Sequence, residues 1–109
     1  MYYLIDELIV PTKYQSVFLK KLPYFRRLYR AVSGVTSVAY LKTILPRHKN
    51  SYLLIITFKT QHHFQNYHDN SDLARQIHLK ISRHFGGKQL SIKLSLHGLD
   101  IPNQVSPSQ

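Results

Sequence analysis

The most informative pattern along the chain is the run of residues 52–58, in which almost every side chain is apolar. Successive side chains of a strand point to opposite faces, so this run predicts a strand that is apolar on both faces. Such a strand must be covered on both sides, because either face left in water would expose a large apolar area. This requirement limits the architectures open to a chain of 109 residues.

The first strand is predicted at residues 2–10, which are apolar or aromatic apart from Asp6 and Glu7. Pro11 ends this run. The two acids are neighbours on the predicted strand, so their side chains must point to opposite faces of the sheet.

A helical segment follows at residues 13–32, where apolar residues recur at helical spacing. Pro23 lacks an amide hydrogen, and we expect it to produce a kink or to divide the segment into two short helices. Gly34 suits the left-handed conformation that ends many helices, and residues 35–45 then predict the second strand.

The second half of the chain begins with a polar hairpin loop, predicted at residues 46–50, before the apolar strand. Thr60 predicts the N-cap of a short helix, and Asn70 predicts a break with a fresh cap for a longer one. Gly86 ends the longer helix. Its core-facing positions recur every fourth residue, at Leu73, Ile77, Ile81 and Phe85.

The final predicted strand alternates between apolar and polar side chains. Its predicted apolar face consists of Leu90, Ile92, Leu94 and Leu96, and its polar face of Gln89, Ser91, Lys93, Ser95 and His97. We therefore expect one side of this strand to lie in water.

The predicted order of elements is β-α-β-β-α-β, which is the arrangement of ferredoxin-like α+β folds with a four-stranded antiparallel sheet. Right-handed crossovers place both helical segments on one face of the sheet, so the opposite face is bare in a monomer. Because that face is apolar, we expect a second copy of the chain to cover it. The homodimer would be a dimeric α/β barrel with a cavity between or beneath its sheets.

We assign residues 1–100 to a single domain and residues 101–109, which are poor in apolar side chains, to a flexible C-terminal tail. No apolar run approaches the ~20 residues of a membrane span, and the start lacks the basic segment of a secretory signal. The chain also has no cysteine. These features predict a cytoplasmic protein with no membrane partner.

Two short motifs accompany this element order. Ser33-Gly34-Val35 leads into the second strand, and residues 57–68, with the sequence TFKTQHHFQNYH, follow the third. With this order the chain resembles the dimeric α/β-barrel superfamily, which includes antibiotic-biosynthesis monooxygenases. The stretch from His78 through Arg83-His84-Phe85-Gly86 also resembles an uncharacterised bacterial branch of these barrels, which carries an Arg-Phe-Gly element there. The resemblance implies the fold, and monooxygenase-like activity by analogy only.

The haem-degrading members of this superfamily use an Asn on the first strand, a Trp at the end of the third and a His in the last helix. The corresponding positions here resemble Glu7, Phe58 and His78, so that only the histidine matches. The resemblance does not carry haem degradation over to this chain, and we expect no cofactor.

Glu7 and His78 are the candidate catalytic residues. A buried carboxylate needs a partner, so Glu7 is interpreted either as a base or anchor in the dimer cavity or as a structural partner of a Lys, Arg or Tyr. His78 follows the core position Ile77 and is either a cavity residue or a structural histidine. Catalysis, if there is any, would be proton transfer or cofactor-free oxidation with one of the two as base.

Tyr40, Phe58 and Tyr67 are the predicted lining of the ligand cavity. The seven histidines offer no pair spaced three or four residues apart on a predicted helix, which is the spacing that brings two ligands to one face. We therefore expect no metal site.

The formal net charge is +10 at pH 7. Such a charge indicates either an anionic partner, such as nucleic acid, a phospholipid surface or an acidic molecule, or simply a solvated surface. An RNA-recognition domain is disfavoured, because Leu53 and Ile55 stand where stacking aromatic rings belong. The predicted basic surface lies on the first helix and consists of Lys20, Lys21, Arg26, Arg27 and Arg30.

The leading functional hypothesis is a homodimeric barrel that binds a small anionic or aromatic organic ligand, with monooxygenase-like activity by analogy only. The alternative is a non-enzymatic basic module that binds nucleic acid or an acidic protein partner. A third hypothesis is a structural dimer whose cavity is filled by its own side chains. The sequence leaves open whether the protein is an enzyme and what its ligand is.

Overall fold

A computed structural model of the chain describes residues 1–44 and 49–101. Residues 46–48 of the predicted hairpin loop and residues 102–109 of the predicted C-terminal tail lie outside the described residues.

One antiparallel sheet contains four strands: β1 (Tyr2–Ile9), β2 (Val35–Lys42), β3 (Ser51–Phe58) and β4 (Ser91–Asp100). Their order across the sheet is β2-β3-β1-β4. The apolar strand β3 therefore has a neighbour on each side, and β2 and β4 form the two edges. This is the ferredoxin-like α+β fold that the sequence predicts.

The described helices are α1 (Gln15–Arg30), α2 (Gln61–Asp69) and α3 (Ser71–Ser82). Both predicted caps are confirmed, because the Thr60 hydroxyl accepts a hydrogen bond from the His63 amide at 3.1 Å and the Asn70 side chain accepts one from the Leu73 amide at 3.1 Å. Within the described ranges, none of the helices combines the length and the apolarity needed to cross a bilayer.

Pro23 lies inside α1, which continues through it as a single helix. The expectation of two short helices is therefore wrong. Proline removes one backbone hydrogen bond from the helix. Phe18, Phe25 and Tyr29, which are buried on both sides of Pro23, hold the helix against the sheet and outweigh this local cost.

The core lies between the helices and one face of the sheet, here called the helix face. Paired residues of antiparallel strands share a face, so the pairs Leu4↔Ile56 and Leu8↔Tyr52 both belong to the helix face. The ring of Tyr52 lies 4.7 Å from the ring of Phe18 on α1, measured between centroids. This contact joins the first helix to the centre of the sheet.

The other face of the sheet, here called the open face, is also apolar. It includes the pairs Ile5↔Ile55 and Glu7↔Leu53. Its leucines on the edge strands are between 38% and 50% exposed, and they are Leu41, Leu94, Leu96 and Leu99. As expected, the apolar character of β3 leaves a sheet face that the helices of the same chain do not cover.

A β-bulge interrupts the regular alternation of β4. Leu8 and Glu7 are neighbours on β1, but their partners on β4 are Ile92 and Leu94, so Lys93 is an extra residue. The side chains that follow Lys93 therefore point to the face opposite to the one that regular alternation would give them. The prediction that residues 90–96 share one apolar face is wrong, because Ile92 lies on the helix face and Leu94 on the open face.

The same bulge turns polar residues of β4 toward the helices. Ser95 pairs with Asp6, and His97 pairs with Leu4. Both partners are buried on the helix face. The side of β4 that was predicted to lie in water is exposed, as are all residues of this strand, yet its Ser95 and His97 also contribute to the site described below.

Gly34 occupies the turn into β2 with a φ of +85°, and a Cβ atom there would lie 2.1 Å from Cγ of His63. We expect Gly34→Ala to destabilise the fold by about 3 kcal/mol or more, because it adds a steric clash to backbone strain of roughly 1–2 kcal/mol. Chemical denaturation measures the loss.

Gly87→Ala is the matched control, since Gly87 also has a positive φ, +79°, but no atom of the described residues beyond its chain neighbours lies within 4 Å of its Cβ position. This variant should lose only the strain, about 1–2 kcal/mol. Equal losses for the two variants would contradict the role of the His63 contact.

Candidate functional site

A small cavity, here called the central cavity, lies between the helix face of the sheet and the helices. Its volume is about 40 Å³. A buried water needs roughly 10–15 Å³, so the cavity has room for two or three water molecules. The polar residues that line it come from every layer of the fold, and they are Asp6, Tyr29, Tyr40, His78, Ser82 and Gln89.

Asp6 is the charged residue at the sheet side of this cavity. It lies between Leu4 and Leu8 on β1 and is 6% exposed. Its Oδ1 accepts a hydrogen bond from the Ser95 hydroxyl at 2.5 Å, and Nε2 of His97 lies 3.7 Å from the same oxygen. Among the described residues, no lysine or arginine pairs with it. A buried carboxylate without such a cation is costly, which makes Asp6 the strongest functional candidate.

Three tyrosines surround the carboxylate. Burial is the main cause that raises the pKa of Tyr67 to about 12, and the negative charge of Asp6 adds to the effect. Burial and the same charge also raise the pKa of Tyr40, and burial with the neighbouring tyrosines and Asp6 raises that of Tyr29. These phenols therefore remain protonated at neutral pH, and each keeps a hydroxyl hydrogen to donate.

His78 extends from α3 into the central cavity. Burial lowers its pKa, and the nearby Asp6 carboxylate opposes this effect only in part. The imidazole is therefore neutral at neutral pH, with one nitrogen that can accept a proton and one that can donate.

The structure does not bring the two predicted catalytic residues together. Glu7 faces the open side of the sheet, where its Oε2 accepts a hydrogen bond from the Ser51 hydroxyl at 2.6 Å. The carboxylate that shares a cavity with His78 is Asp6. Glu7 and His78 thus lie on opposite sides of the sheet, because the register between β1 and β3 turns the neighbouring acid, Asp6, toward the helices.

The three predicted cavity residues have different positions. Tyr40 lines the central cavity. Phe58 is fully buried and packs against Phe64 and Tyr67, with ring centroids 5.6 Å away in both cases. Phe58 and Tyr67 therefore belong to the core behind the central cavity rather than to its lining.

A second cavity, here called the rim cavity, lies beside the central one and has a volume of about 250 Å³. Gln89 and Leu90 line both cavities, so the segment that leads into β4 is the wall between them. The rim cavity also has an aromatic pair, Tyr14 and Phe85, whose ring centroids are 5.3 Å apart, and two lysines, Lys13 and Lys88.

The predicted basic surface is exposed on α1, at Lys20, Lys21, Arg26, Arg27 and Arg30. None of these five residues lines either cavity. Nε of Arg26 donates a hydrogen bond to the carbonyl oxygen of Val38 at 3.1 Å, so part of this surface is tied to β2. Across residues 1–44 and 49–101, no group of three or more His, Asp or Glu side chains is placed to hold a metal ion.

Sequence reasoning missed Ser95, His97 and Tyr29 as site residues. Ser95 and His97 look like the solvent side of a regular strand, and no local signal reveals the bulge at Lys93. In the sequence pattern, Tyr29 is one more core-facing position of the first helix. Only Asp6 carried a recognisable signal, a carboxylate inside an otherwise apolar strand, and the sequence could not decide between it and its neighbour.

With this geometry, the chain has the fold of antibiotic-biosynthesis-monooxygenase-like proteins. A proposed antibiotic biosynthesis monooxygenase from Bordetella bronchiseptica superposes with a TM-score of 0.65 at 15% identity, covering 93% of this chain and 97% of that one. SnoaB, a cofactor-independent oxygenase from Streptomyces nogalater, gives 0.59 at 14% identity, covering 97% and 96%. MhuD, a haem degrader from Mycobacterium tuberculosis, gives 0.55 at 15% identity, covering 94% and 100%.

No protein-family model matches the sequence, and no curated protein sequence does either. At identities this low, the structural likeness establishes the fold alone. None of the three structures is described as a nucleic-acid-binding protein, so the comparisons do not support the basic-module alternative.

Haem does not fit the residues of this chain. The MhuD structure holds two haems in its active site, whereas the central cavity here has about 40 Å³ and is closed on the sheet side by Asp6 and Leu54. Pockets for drug-sized ligands have roughly 300–1,000 Å³. Of the three positions matched to haem-degrading members, Glu7 faces away from the cavity and Phe58 is sealed in the core.

His78 is expected to make the fold less stable in acid. Because its folded pKa is lowered, its contribution to stability is present above the unfolded value of 6.5 and is lost as pH falls through the lower folded value. His78→Gln should reduce the difference in unfolding free energy between about pH 7.5 and about pH 5, measured by urea denaturation. His62→Gln, at an exposed position on α2, is the control. An unchanged difference in the His78 variant would contradict the burial argument.

Proposed function

We propose that the protein binds a small aromatic molecule in the central and rim cavities, with a ligand hydroxyl donating a hydrogen bond to Asp6. One observation carries the proposal, namely a buried carboxylate that faces a cavity and has no Lys or Arg partner in the described ranges. A neutral hydroxyl stabilises such a carboxylate without burying a second charge. Solved structures of this fold include an oxygenase and a haem degrader, which supports small-ligand binding as the general function.

The sizes of the cavities favour a ligand that spans both. The central cavity, at about 40 Å³, takes only a polar group, whereas the rim cavity, at about 250 Å³, approaches the size of a small-ligand site. An aromatic ring next to Tyr14 and Phe85 would stack or pack edge-on in the rim cavity. Displacement of Gln89 and Leu90, which separate the two spaces, would let its hydroxyl reach Asp6.

The charges at the rim favour an anionic group at the outer end of the ligand. Lys13 and Lys88 line the rim cavity, while the acidic group lies at the inner end. A carboxylate or phenolate would therefore orient toward the lysines, with the protic group toward Asp6. The proposed ligand class is thus an aromatic acid that also carries a hydroxyl group.

The chemistry that the chain itself could perform on such a ligand is proton transfer. Asp6 would accept the hydroxyl proton, and the neutral His78 would donate to or accept from a second ligand atom. Monooxygenase-like activity is proposed only by analogy with proteins of the same fold. In such a reaction, loss of a proton from the bound molecule would make that molecule easier to oxidise.

We further propose that the protein is a homodimer in which the open faces of two sheets pack together. The supporting observation is the apolar open face, with Leu53 and Ile55 at its centre and edge leucines up to half exposed. A second copy would bury this area, and a two-fold axis satisfies both chains with one surface. Glu7 would then lie in the interface, with its hydrogen bond to Ser51 offsetting part of its desolvation.

The ligand proposal predicts that 6-hydroxy-2-naphthoate binds more tightly than 2-naphthoate, which lacks the hydroxyl group. The expected preference is about tenfold, because a hydrogen bond to a charged acceptor contributes roughly 1.5–3 kcal/mol. Isothermal titration calorimetry measures both affinities. Asp6→Asn should remove most of the preference, since the acceptor loses its charge.

Asp69→Asn, which removes an exposed acid on α2, is the matched control and should keep the preference. Lys88→Gln should weaken both ligands by similar factors, because both carry the carboxylate. The proposal fails if neither compound binds, or if the hydroxyl preference survives in Asp6→Asn.

The homodimer predicts a particle of twice the chain mass in sedimentation equilibrium at micromolar concentration. Leu96→Glu should convert it to a monomer, because the open face would then bury a charge close to its symmetry mate. Leu19→Glu is the control, since Leu19 is 51% exposed on α1, away from the sheet. A monomeric wild type, or a dimer that tolerates the Leu96 variant, would overturn the pairing.

A further inference from the structure

The hydrogen bonds of Asp6 continue beyond the central cavity. The Ser95 oxygen lies 2.5 Å from Oδ1 of Asp6 and 2.7 Å from Nε2 of His97. The His97 side chain is 36% exposed, whereas that of Asp6 is 9% exposed. Ser95 is itself exposed, as are all residues of β4, so three polar groups in a row lead from the buried carboxylate to the surface.

The direction of each hydrogen bond follows from the chemistry of the groups. An ionised carboxylate only accepts, so the single hydroxyl hydrogen of Ser95 is donated to Asp6. The Ser95 oxygen must then accept from His97, which places a hydrogen on Nε2. Because Nε2 lies 3.7 Å from Asp6, the histidine does not hydrogen-bond the carboxylate directly. The serine is the required link.

This order differs from that of a hydrolytic triad, in which a histidine stands between serine and aspartate and takes the serine proton. Here the serine stands in the middle and its hydroxyl is engaged on both sides. It is arranged to pass a proton rather than to attack a substrate.

We propose that Ser95 and His97 form a proton relay that connects Asp6 in the central cavity with solvent. The proposal rests on the proposed role of Asp6 as the group that exchanges a proton with a bound ligand. For inward transfer, Nδ1 of His97 takes a proton from a hydronium ion, which leaves as water, Nε2 gives its proton to the Ser95 oxygen, and Ser95 gives its own to Asp6. His97 is left neutral with its hydrogen on Nδ1, and Asp6 becomes the neutral acid. Outward transfer follows the same steps in reverse.

The relay has different surroundings at its two ends. Around Asp6 lie Tyr29 of α1, Tyr40 of β2, Tyr67 of α2 and His78 of α3, and none of them carries a positive charge at neutral pH. At the outer end, the His97 ring faces His68 of α2 at 5.3 Å between centroids. His68 in turn lies 3.2 Å from Asp69. A proton that arrives at the exposed histidine pair therefore meets an acid that can stabilise it.

A purely structural role for Ser95 and His97 is the alternative, in which they only satisfy the hydrogen bonding of Asp6. The two roles differ in rate rather than in geometry. A relay sets how quickly Asp6 gains and loses its proton, whereas a structural hydrogen bond does not need a group that titrates.

The test is nuclear magnetic resonance on the ligand-free protein with labelled Asp6, measuring the exchange rate between its protonated and ionised forms. His97→Gln keeps an amide donor that can reach Ser95 but cannot take up a proton. We expect this variant to slow the exchange by about tenfold or more. Ser95→Ala should slow it similarly, and Ser95→Thr, which keeps the hydroxyl, should restore the wild-type rate.

His84→Gln, beside Tyr24 and Phe25, is the control and should leave the rate unchanged. The backbone spectrum of each variant reports whether it is folded, and Ser95→Thr with His97→Gln decides the matter if Ser95→Ala unfolds. A wild-type exchange rate in His97→Gln overturns the relay. Since no ligand is added, this result is independent of whether the cavities bind an aromatic acid.

Discussion

The burial of the Asp6 carboxylate is the constraint on which the site depends. A charge in the middle of an apolar strand must find hydrogen-bond donors, and here no Lys or Arg among the described residues supplies them. Ser95 does so from the neighbouring strand, and it can reach Asp6 only because the bulge at Lys93 turns it toward the helices. The central cavity and the protonated phenols of the neighbouring tyrosines complete the surroundings of Asp6. They keep the carboxylate away from bulk water and leave it open on the cavity side.

The two faces of the sheet differ in what covers them and in the polar residues that they carry. The helix face buries the aromatic core and carries the polar site, with Phe18 and Tyr52 in contact next to the central cavity. On the open face, the buried polar side chains among the described residues are Ser51 and Thr57, which hydrogen-bond to Glu7 and Ser37 respectively. The apolar surface of this face is suited to association rather than to chemistry. The neighbouring acids of β1 therefore lie on opposite sides of one sheet, so one short strand contributes both to the proposed ligand site and to the proposed dimer interface.

The basic residues of the surface are not those that form the site around Asp6. Of the five acids, Asp6 is buried and Glu7 half-buried, which leaves the exposed surface more basic than the net charge of +10 suggests. Lys13 and Lys88 bring part of this charge to the rim cavity, where it would act on the proposed ligand. The arginines of α1 lie elsewhere, and part of their role is structural, as in the hydrogen bond from Arg26 to β2.

Local patterns predicted most of the fold. The caps at Thr60 and Asn70 and the stripe from Leu73 to Phe85 depend on neighbours a few residues away, so the sequence was sufficient for them. The continuity of α1 through Pro23 was not predictable, because it depends on aromatic side chains packing against a distant sheet.

By itself, the sequence determined the ferredoxin-like order of elements and an apolar sheet with two faces to cover, since both follow from the spacing of apolar residues. Only the tertiary structure decided that Asp6 rather than Glu7 faces the helices, and that Ser95 and His97 join it. Strand register and the extra residue Lys93 in β4 set these orientations, and both arise from pairing between residues far apart in the chain.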